Sequence, residues 1–490
     1  MSYDLLIIGG GINGCAIARE AALNGQRVLL VEKDDIAGHT SSASSRLIHG
    51  GLRYLEYYEF RLVREALRER ERLLKAAPHL IRPLEFIVPQ QGSVRPAWMV
   101  RAGLFLYDRL ARSSMPRSRK LGSQDRISRM ALRTADKGFA YWDAWTDDAR
   151  LTLAYALDAA DLGADIRTRT ELVSAKRLDQ HWQAELANGE TVHARAIVNA
   201  AGPWVSELLN TIGIETKSRV RLVKGSHIMV GRMYHGRHAY LLQQPDRRVV
   251  FALNYDSDFT TIGTTDSPVD HPGDAAIDDD EIDYLLEAAN RHFRYRIERH
   301  NIVHSWSGIR ALYDDGADSA SAVTRDYVLE LDTSGPGVLS VFGGKITTAR
   351  ALAEDAMTKL APVLDVTGLQ TSRDRALPGG DIHDFTPFLD RVRTRFPFLG
   401  DSRSLRMARA YGTKVFAMLE NVRSEADMGR AFGNGLTEVE AKWMRAHEWA
   451  MTAEDALMRR SQCAVHMTEA EREDFARWWD SEGGAVDLEI

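Results

Sequence analysis

The sequence predicts a protein of α/β plus α+β class: a parallel-sheet domain, an antiparallel-sheet domain and a C-terminal helical domain. Three observations carry this reading. The chain opens with a strand, a glycine turn, a helix and a second strand, the order that builds parallel sheets. Residues 220–266 hold several strand-like runs separated by turns, the pattern of an antiparallel sheet. Residues 388–479 are rich in Ala, Leu, Glu and Arg, with scattered aromatics. A length of 490 residues suits two or three cores.

Residues 4–8 form a short apolar run ending at Gly9-Gly10-Gly11, which predicts a buried strand and a tight turn. Residues 12–24 predict a helix whose small residues, Ala16, Ala18, Ala21 and Ala22, let it lie close to a sheet. Residues 27–31 predict the next strand, with Glu32 at its end. A helix is expected over 56–77, with Leu62, Ala66 and Leu73 on one apolar face and charge pairs outside. Residues 95–133 carry ten basic residues against Asp108 and Asp125, interleaved with Trp98, Met99, Leu104, Phe105, Leu106 and Tyr107. Residues 194–202 predict a buried strand ending in small residues. Residues 249–253 and 260–263 are strands of the antiparallel sheet. Residues 338–342 form another buried strand, closed by Gly343-Gly344 and followed by a helix from about Lys345. Leu377-Pro378-Gly379-Gly380 is the expected linker. The domains are then 1–60, 140–215 and 320–365; 61–139 and 216–319; and 376–490.

The apolar and charged fractions are those of an ordinary globular protein, and a net charge of −6 argues against nucleic acid as a partner. Two cysteines, Cys15 and Cys463, suggest no disulfide framework, and a reducing compartment fits. The first residues lack a signal-peptide pattern, and no apolar run nears the roughly 20 residues that span a bilayer. The expectation is a soluble or monotopic protein.

Gly9, Gly11 and Gly14 fit G-x-G-x-x-G, placed between a strand and a helix. Glu32 follows Gly14 at the distance where an acid accepts ribose hydroxyls, and an acid there disfavours NADP. FAD fits better than NAD, because a long dinucleotide needs further anchor points. Gly343-Gly344-Lys345 and Ala200-Ala201-Gly202 supply them, and the helix after Gly344 can point its positive end at a flavin. Between these anchors lies residues 40–54, T-S-S-A-S-S-R-L-I-H-G-G-L-R-Y, a Ser- and Gly-rich loop carrying a histidine and two arginines. Such a loop can wrap a ligand closely while presenting proton-transfer and anion-binding groups. The candidate cofactor residues are Gly9, Gly11, Asn13, Gly14, Glu32, Ser41, Ser42, Ser44, Ser45, Gly50, Val173, Ala201, Gly202, Gly344, Lys345 and Thr347. No metal site is expected.

The strings G-G-G-I-N-G, S-S-R-L-I-H-G-G-L-R-Y-L-E, Y-E-F-R-L-V-R-E-A-L, N-A-A-G-P-W, L-V-K-G-S-H, I-G-T-T-D, T-R-D-Y and S-V-F-G-G-K-I-T-T belong to a match that runs from residue 3 to beyond 470. Together the sequence resembles the FAD-dependent, respiratory glycerol-3-phosphate dehydrogenases. The resemblance implies a Rossmann-like FAD domain of glutathione-reductase type, an antiparallel-sheet substrate cap and a helical C-terminal domain. It implies oxidation of sn-glycerol 3-phosphate to dihydroxyacetone phosphate by hydride transfer to FAD, with electrons passed to membrane quinone. It departs from the pattern at Cys15, where a packing role is expected, and at Ala201, where Thr often precedes the glycine.

That chemistry needs a base for the hydroxyl proton and cations for a phosphate dianion. His49 is the expected base, with His227 its rival. Arg53, Arg310 and Lys345 are placed around the substrate, with Arg325 in support and Tyr54 on the phosphate. The catalytic set is His49, Arg310 and Lys345. The basic, aromatic segment 95–133 is expected to meet an anionic bilayer surface, which makes the protein cytoplasmic and peripherally attached to the inner face of the cell membrane. A homodimer is a candidate assembly. The alternative activity is a glycerol-3-phosphate oxidase, which passes electrons to oxygen and makes hydrogen peroxide.

Overall fold

The computed structural model describes residues 2–90, 93–134, 137–314 and 326–482. Two large sheets share the chain. The first runs Val328–Asp332, Val338–Phe342, Thr191–Asn199, Ser2–Ile8, Val28–Val31 and Asp165–Arg167. Ser2–Ile8 pairs in parallel with both Thr191–Asn199 and Val28–Val31. Strands covered on both faces must be apolar throughout, and Val28–Val31 is buried at every residue. Side chains alternate across the sheet. Leu5 and Ile7 pack into a core with the helices Ile12–Leu23, Asp148–Asp161 and Ala349–Leu364. Leu6 and Ile8 pack on the opposite side with Trp182 and Val205.

The first helix lies close to the sheet for a reason visible at two glycines. A Cβ on Gly14 would sit 1.9 Å from the Gly9 carbonyl oxygen, and one on Gly9, at φ +114°, would sit 2.5 Å from that of Ala200. Cys15 is free and fully buried in the same interface, its Sγ 3.4 Å from the Gly10 carbonyl oxygen, and burial holds it as a thiol.

The second sheet runs Ser267–Pro268, Val220–Gly231, Phe259–Gly263, Val249–Tyr255, Ala239–Gln243, Ile81–Pro89, Gly138–Thr146 and Leu47–Ile48, with Ile302–Tyr313 also paired to Val220–Gly231. It is antiparallel except where Ala239–Gln243 meets Ile81–Pro89. Gly138–Thr146 pairs along its length with Ile81–Pro89. Residues 140–146 and the short strand at 47–48 therefore hydrogen-bond into the cap sheet, although they fall inside the segments assigned above to the nucleotide domain. The helix Asp279–His292 covers this sheet's far face. The helix expected over 56–77 is Phe60–Ala76, preceded by the 3-10 turn Leu52–Tyr57; Tyr58 takes a left-handed φ of +61° and separates the two.

The C-terminal residues form helices, among them Phe385–Arg395, Gly400–Tyr411, Glu438–His447 and Glu469–Glu482, around two apolar cores. The expected linker at 377–380 is a tight joint. The Leu377 N–H donates to the Ala76 carbonyl at 2.9 Å. A Cβ on Gly380 would meet that same oxygen at 2.1 Å, and one on Gly379 would meet the Tyr411 carbonyl at 2.4 Å. The Gly-Gly pair lets three segments close together and is no sign of slack chain. Among the described residues, no helix is long and apolar enough to cross a membrane.

Candidate active site

The nucleotide end of the site is built mostly from main chain. Gly11 precedes the first helix in extended conformation, and the Ile12 N–H donates to Ser41 Oγ at 2.9 Å. Asn13 Nδ2 donates to the Gly343 carbonyl at 3.2 Å, while its Oδ1 is buried without a hydrogen-bond partner among the described residues. A Cβ on Gly344 would meet Asn13 Nδ2 at 2.6 Å, so the glycine turn at 343–344 abuts the first helix. Glu32 accepts the N–H groups of Gly10 at 2.6 Å and Asp34 at 2.8 Å; burial raises its pKa, and these bonds oppose the rise. A cleft runs from Gly9, Gly11 and Ser41 past Glu32 to Thr170–Leu172 and Ala201–Gly202. At its outer end Lys33 Nζ stands 3.9 Å over the Trp204 ring, and His39 packs 4.7 Å from it. Val173 is displaced from this cleft. Its strand alternates, Leu172 facing in and Val173 standing 55% exposed. Its side chain points away from the cleft, which leaves its main chain as the part that would meet the expected cofactor.

The four serines of the loop have different partners. Ser41 caps the helix. Ser42 Oγ donates to the His39 carbonyl at 3.2 Å. Ser44 is spent on Asp148, through its N–H at 3.0 Å and its Oγ at 2.7 Å. Ser45 Oγ lies 2.9 Å from His227 Nε2. Among the four, Ser41 lines the cleft described above, while Ser44 and Ser45 hold the loop to Asp148 and His227.

His49 follows the strand Leu47–Ile48. Its N–H lies 3.4 Å from Thr347 Oγ1, which ties the loop to the glycine turn at 343–344. The Gly50 N–H donates to the Tyr107 hydroxyl at 2.8 Å, Tyr107 donates to Asp143 at 2.8 Å, and Arg70 reaches Asp143 at 2.6 Å. A Cβ on Gly50 would lie 2.7 Å from that hydroxyl, so the close approach requires glycine. Burial, and then the charges of Lys345 and Arg70, push the His49 pKa down to about 4. Lys345 Nζ sits 4.2 Å from the Tyr54 ring centroid. Arg53 Nε is buried with no hydrogen-bond partner among the described residues.

The cap sheet supplies the other side. His227 stacks on Trp306 with ring centroids 5.0 Å apart and planes at 6°. Burial, then Arg310 and Arg46, push its pKa down to about 3. Arg310 donates to Thr265 O at 2.7 Å and pairs with Asp266 at 2.9 Å. Gly225 makes room for it, since a Cβ there would be 2.1 Å from Arg310 Nη2. The loop bridges the two sides, because Thr40 Oγ1 donates to the Ile309 carbonyl at 2.7 Å. Both imidazoles are neutral near pH 7 and can accept a proton. Arg325 lies outside the described residues. The sequence reading missed Tyr107, Asp143 and Asp148. Asp143 had a signal, a lone acid inside the apolar run F-A-Y-W-D-A-W, which must find buried partners.

A family model described as "FAD dependent oxidoreductase" matches residues 4–350. The chain is 48% identical to a D-erythritol 1-phosphate dehydrogenase of Brucella abortus, with 98% of each chain covered. It is 45% identical to a glycerol-3-phosphate dehydrogenase of Pseudomonas aeruginosa, covering 98% of this chain and 95% of that one. Among solved structures, a glycerol-3-phosphate dehydrogenase from Bacillus halodurans complexed with FAD superposes with a TM-score of 0.77 at 26% identity, covering 100% of this chain and 92% of that one.

Proposed function

The chain belongs to the FAD-dependent oxidoreductase family, and from that premise we propose that it oxidises a polyol phosphate, sn-glycerol 3-phosphate to dihydroxyacetone phosphate, and passes the electrons to membrane quinone. The cradle fits FAD. A helix N-terminus with a glycine cap suits a pyrophosphate, Glu32 stands where a ribose would need an acceptor, and Asn13 holds a buried, unpartnered oxygen. Gly9, Gly11, Gly14, Ser41, Ala201, Gly202, Gly344 and Thr347 would complete it. Bound FAD supplies a hydride acceptor.

The observation that carries the reading is a buried, neutral histidine whose pKa burial, and then the charge of Lys345, hold down to about 4. His49 accepts the proton of the substrate hydroxyl as the hydride leaves the adjoining carbon, and a ketone results. Lys345 and Arg53, with Tyr54, take the phosphate dianion. Arg310, fixed by Asp266 and the Thr265 carbonyl, adds charge from the cap side. His227 packs against Trp306 and Ser45 and supports the site.

The relative from Brucella favours a second substrate, D-erythritol 1-phosphate. Both compounds carry a terminal phosphate ester and a secondary alcohol, so the same base and cations serve either. Anaerobic reduction of the bound flavin by each compound decides between them, the true substrate bleaching it at the lower concentration. Peroxide yield under air, set against turnover with a quinone analogue, tests the acceptor: stoichiometric peroxide would make the protein an oxidase.

Membrane attachment is part of the proposal. The helix Ala97–Leu110 exposes Trp98 and Phe105, and Tyr58, Ile127 and Met130 stand out nearby in sequence. A cleft beside this helix is lined by Arg64, Arg68, Arg112 and Arg117, none with an ion-pair or hydrogen-bond partner among the described residues. Other cations of 95–133 are neutralised, Arg95 by Glu56 and Arg119 by Glu85 and Asp125. Flotation with anionic vesicles at low salt tests this: a protein that stays at the bottom of the gradient has no such surface.

A further inference from the structure

The C-terminal domain has no part in the roles above, yet one of its segments grips the chain just before the loop that joins the cofactor to the substrate, and again in the middle of that loop. Asp455–Arg460 is a π-helical turn, a geometry frequent at functional positions. Just before the loop, Arg460 forks onto Asp35 at 2.7 and 2.8 Å, and Arg459 reaches the same carboxylate at 2.7 Å. Asp35 and Arg460 are both buried. Asp35 lies just beyond Glu32, and the Ala37 N–H donates to the Gly10 carbonyl at 3.1 Å. The gripped segment therefore leads straight back to the glycine turn.

In the middle of the loop, Gln462 uses both ends of its amide on three different parts of the molecule. Its Oε1 accepts from Arg46 at 2.6 Å and from the Tyr255 hydroxyl at 2.7 Å, and its Nε2 donates to Asp147 at 2.7 Å. The Arg46 guanidinium lies 4.9 Å from the Tyr255 ring centroid and 6.0 Å from that of Trp306, the residue on which His227 stacks. Ser45, the neighbour of Arg46, meets His227 Nε2. Gln462 and Arg46 both hold left-handed backbone, φ +55° and +57°, which residues with a Cβ keep only where their surroundings over-determine it.

We propose that residues 455–462 are a positioning element for the reaction, Arg460 setting the cofactor end of the loop through Asp35 and Gln462 its substrate end through Arg46. This rests on the reading that His49 is the base and that His227, held by Ser45 and Trp306, supports the substrate site. It assigns the C-terminal domain a share in turnover without any contact with the reacting atoms.

The test uses the full-length holoenzyme with Gln462→Met, which keeps volume and removes the amide, and with Arg460→Met. Gln462→Met should keep the wild-type FAD content, slow anaerobic flavin reduction by glycerol 3-phosphate about tenfold, and raise amide exchange over residues 44–49. Arg460→Met should do the converse and loosen FAD. Tyr255→Phe removes one donor to the same amide and should slow reduction by a smaller factor, which covers the case of a misfolded Gln462→Met. Wild-type reduction and exchange in Gln462→Met would overturn the proposal, as would loss of FAD with normal reduction of the flavin that stays. If the wild-type enzyme itself is not bleached, the substrate reading fails, and amide exchange with FAD retention still decides the positioning role.

Discussion

The two ends of the site are made differently. The nucleotide end is a matter of backbone: three glycines, a helix N-terminus and one acid, all within the first 32 residues. The proposed substrate end is a matter of side chains drawn from distant parts of the chain, His49, Lys345, Arg310 and His227, held by partners that are themselves distant. The first kind of site tolerates no added atoms but needs no network. The second tolerates small changes of shape but depends on every strut behind it. This difference predicts how each end breaks.

The largest effect is expected at the backbone end. Gly14→Val places carbon where the Gly9 carbonyl lies, at 1.9 Å, and neither main chain can retreat. The expected outcome is loss of bound FAD and of soluble protein, read from the flavin absorbance of the purified fraction. Yellow, stable Gly14→Val protein would show that the helix can shift, and would remove the packing argument.

At the side-chain end the fold should survive and the chemistry should not. His49→Ala should keep its FAD and reduce about 10²- to 10⁴-fold more slowly, the range ascribed to a positioned base. Lys345→Ala should raise the substrate dissociation constant about tenfold or more, as expected for a lost charge-assisted hydrogen bond. Stopped-flow reduction over a range of substrate concentrations separates the two. A normal rate in His49→Ala would transfer the base to His227.

The pH dependence follows from the depressed histidines. His49 titrates at about 4, and His79 and His227 at about 3, chiefly through burial. Each is neutral in the fold, whereas the unfolded chain takes up a proton near 6.5. The stability they contribute is complete above pH 6.5 and is lost as pH falls through 4 toward 3. The melting temperature should hold between pH 8 and 7 and fall between 6.5 and 4, and the reduction rate should stay level from pH 8 to 6. A reduction rate that titrates near 6.5 would place the base in an open, solvated position.

The smallest effect is expected at Val173. Its side chain is exposed, so Val173→Lys should leave FAD content and reduction unchanged. A weaker hold on FAD would bring residue 173 back into the cofactor site.

How much of this was legible in the sequence follows the same division. Gly9, Gly11, Gly14 and Glu32 could be placed because their spacing encodes a local geometry, and strand, turn and helix lie beside one another in the chain. His49 and Lys345 could be singled out because each sits next to glycines. Their struts could not. Tyr107 reaches Gly50 across 57 positions, and Gln462 reaches Arg46 across 416. Nothing in a linear pattern marks a hydroxyl or an amide for a partner so far away. Residues 377–380 could be read as a linker but not as a tight one, because the close approach of Ala76 and Tyr411 that requires the glycines comes from elsewhere in the chain. The partners of the serines were not legible either, because a hydroxyl suited to a phosphate is equally suited to Asp148 or His227.

The most direct test is to mix the purified yellow protein with sn-glycerol 3-phosphate without oxygen and follow the flavin absorbance. The account predicts bleaching in the wild type, and in His49→Ala a flavin that keeps its colour over the same time but is still reduced by dithionite. A wild-type flavin that stays yellow with this compound and with D-erythritol 1-phosphate would contradict it.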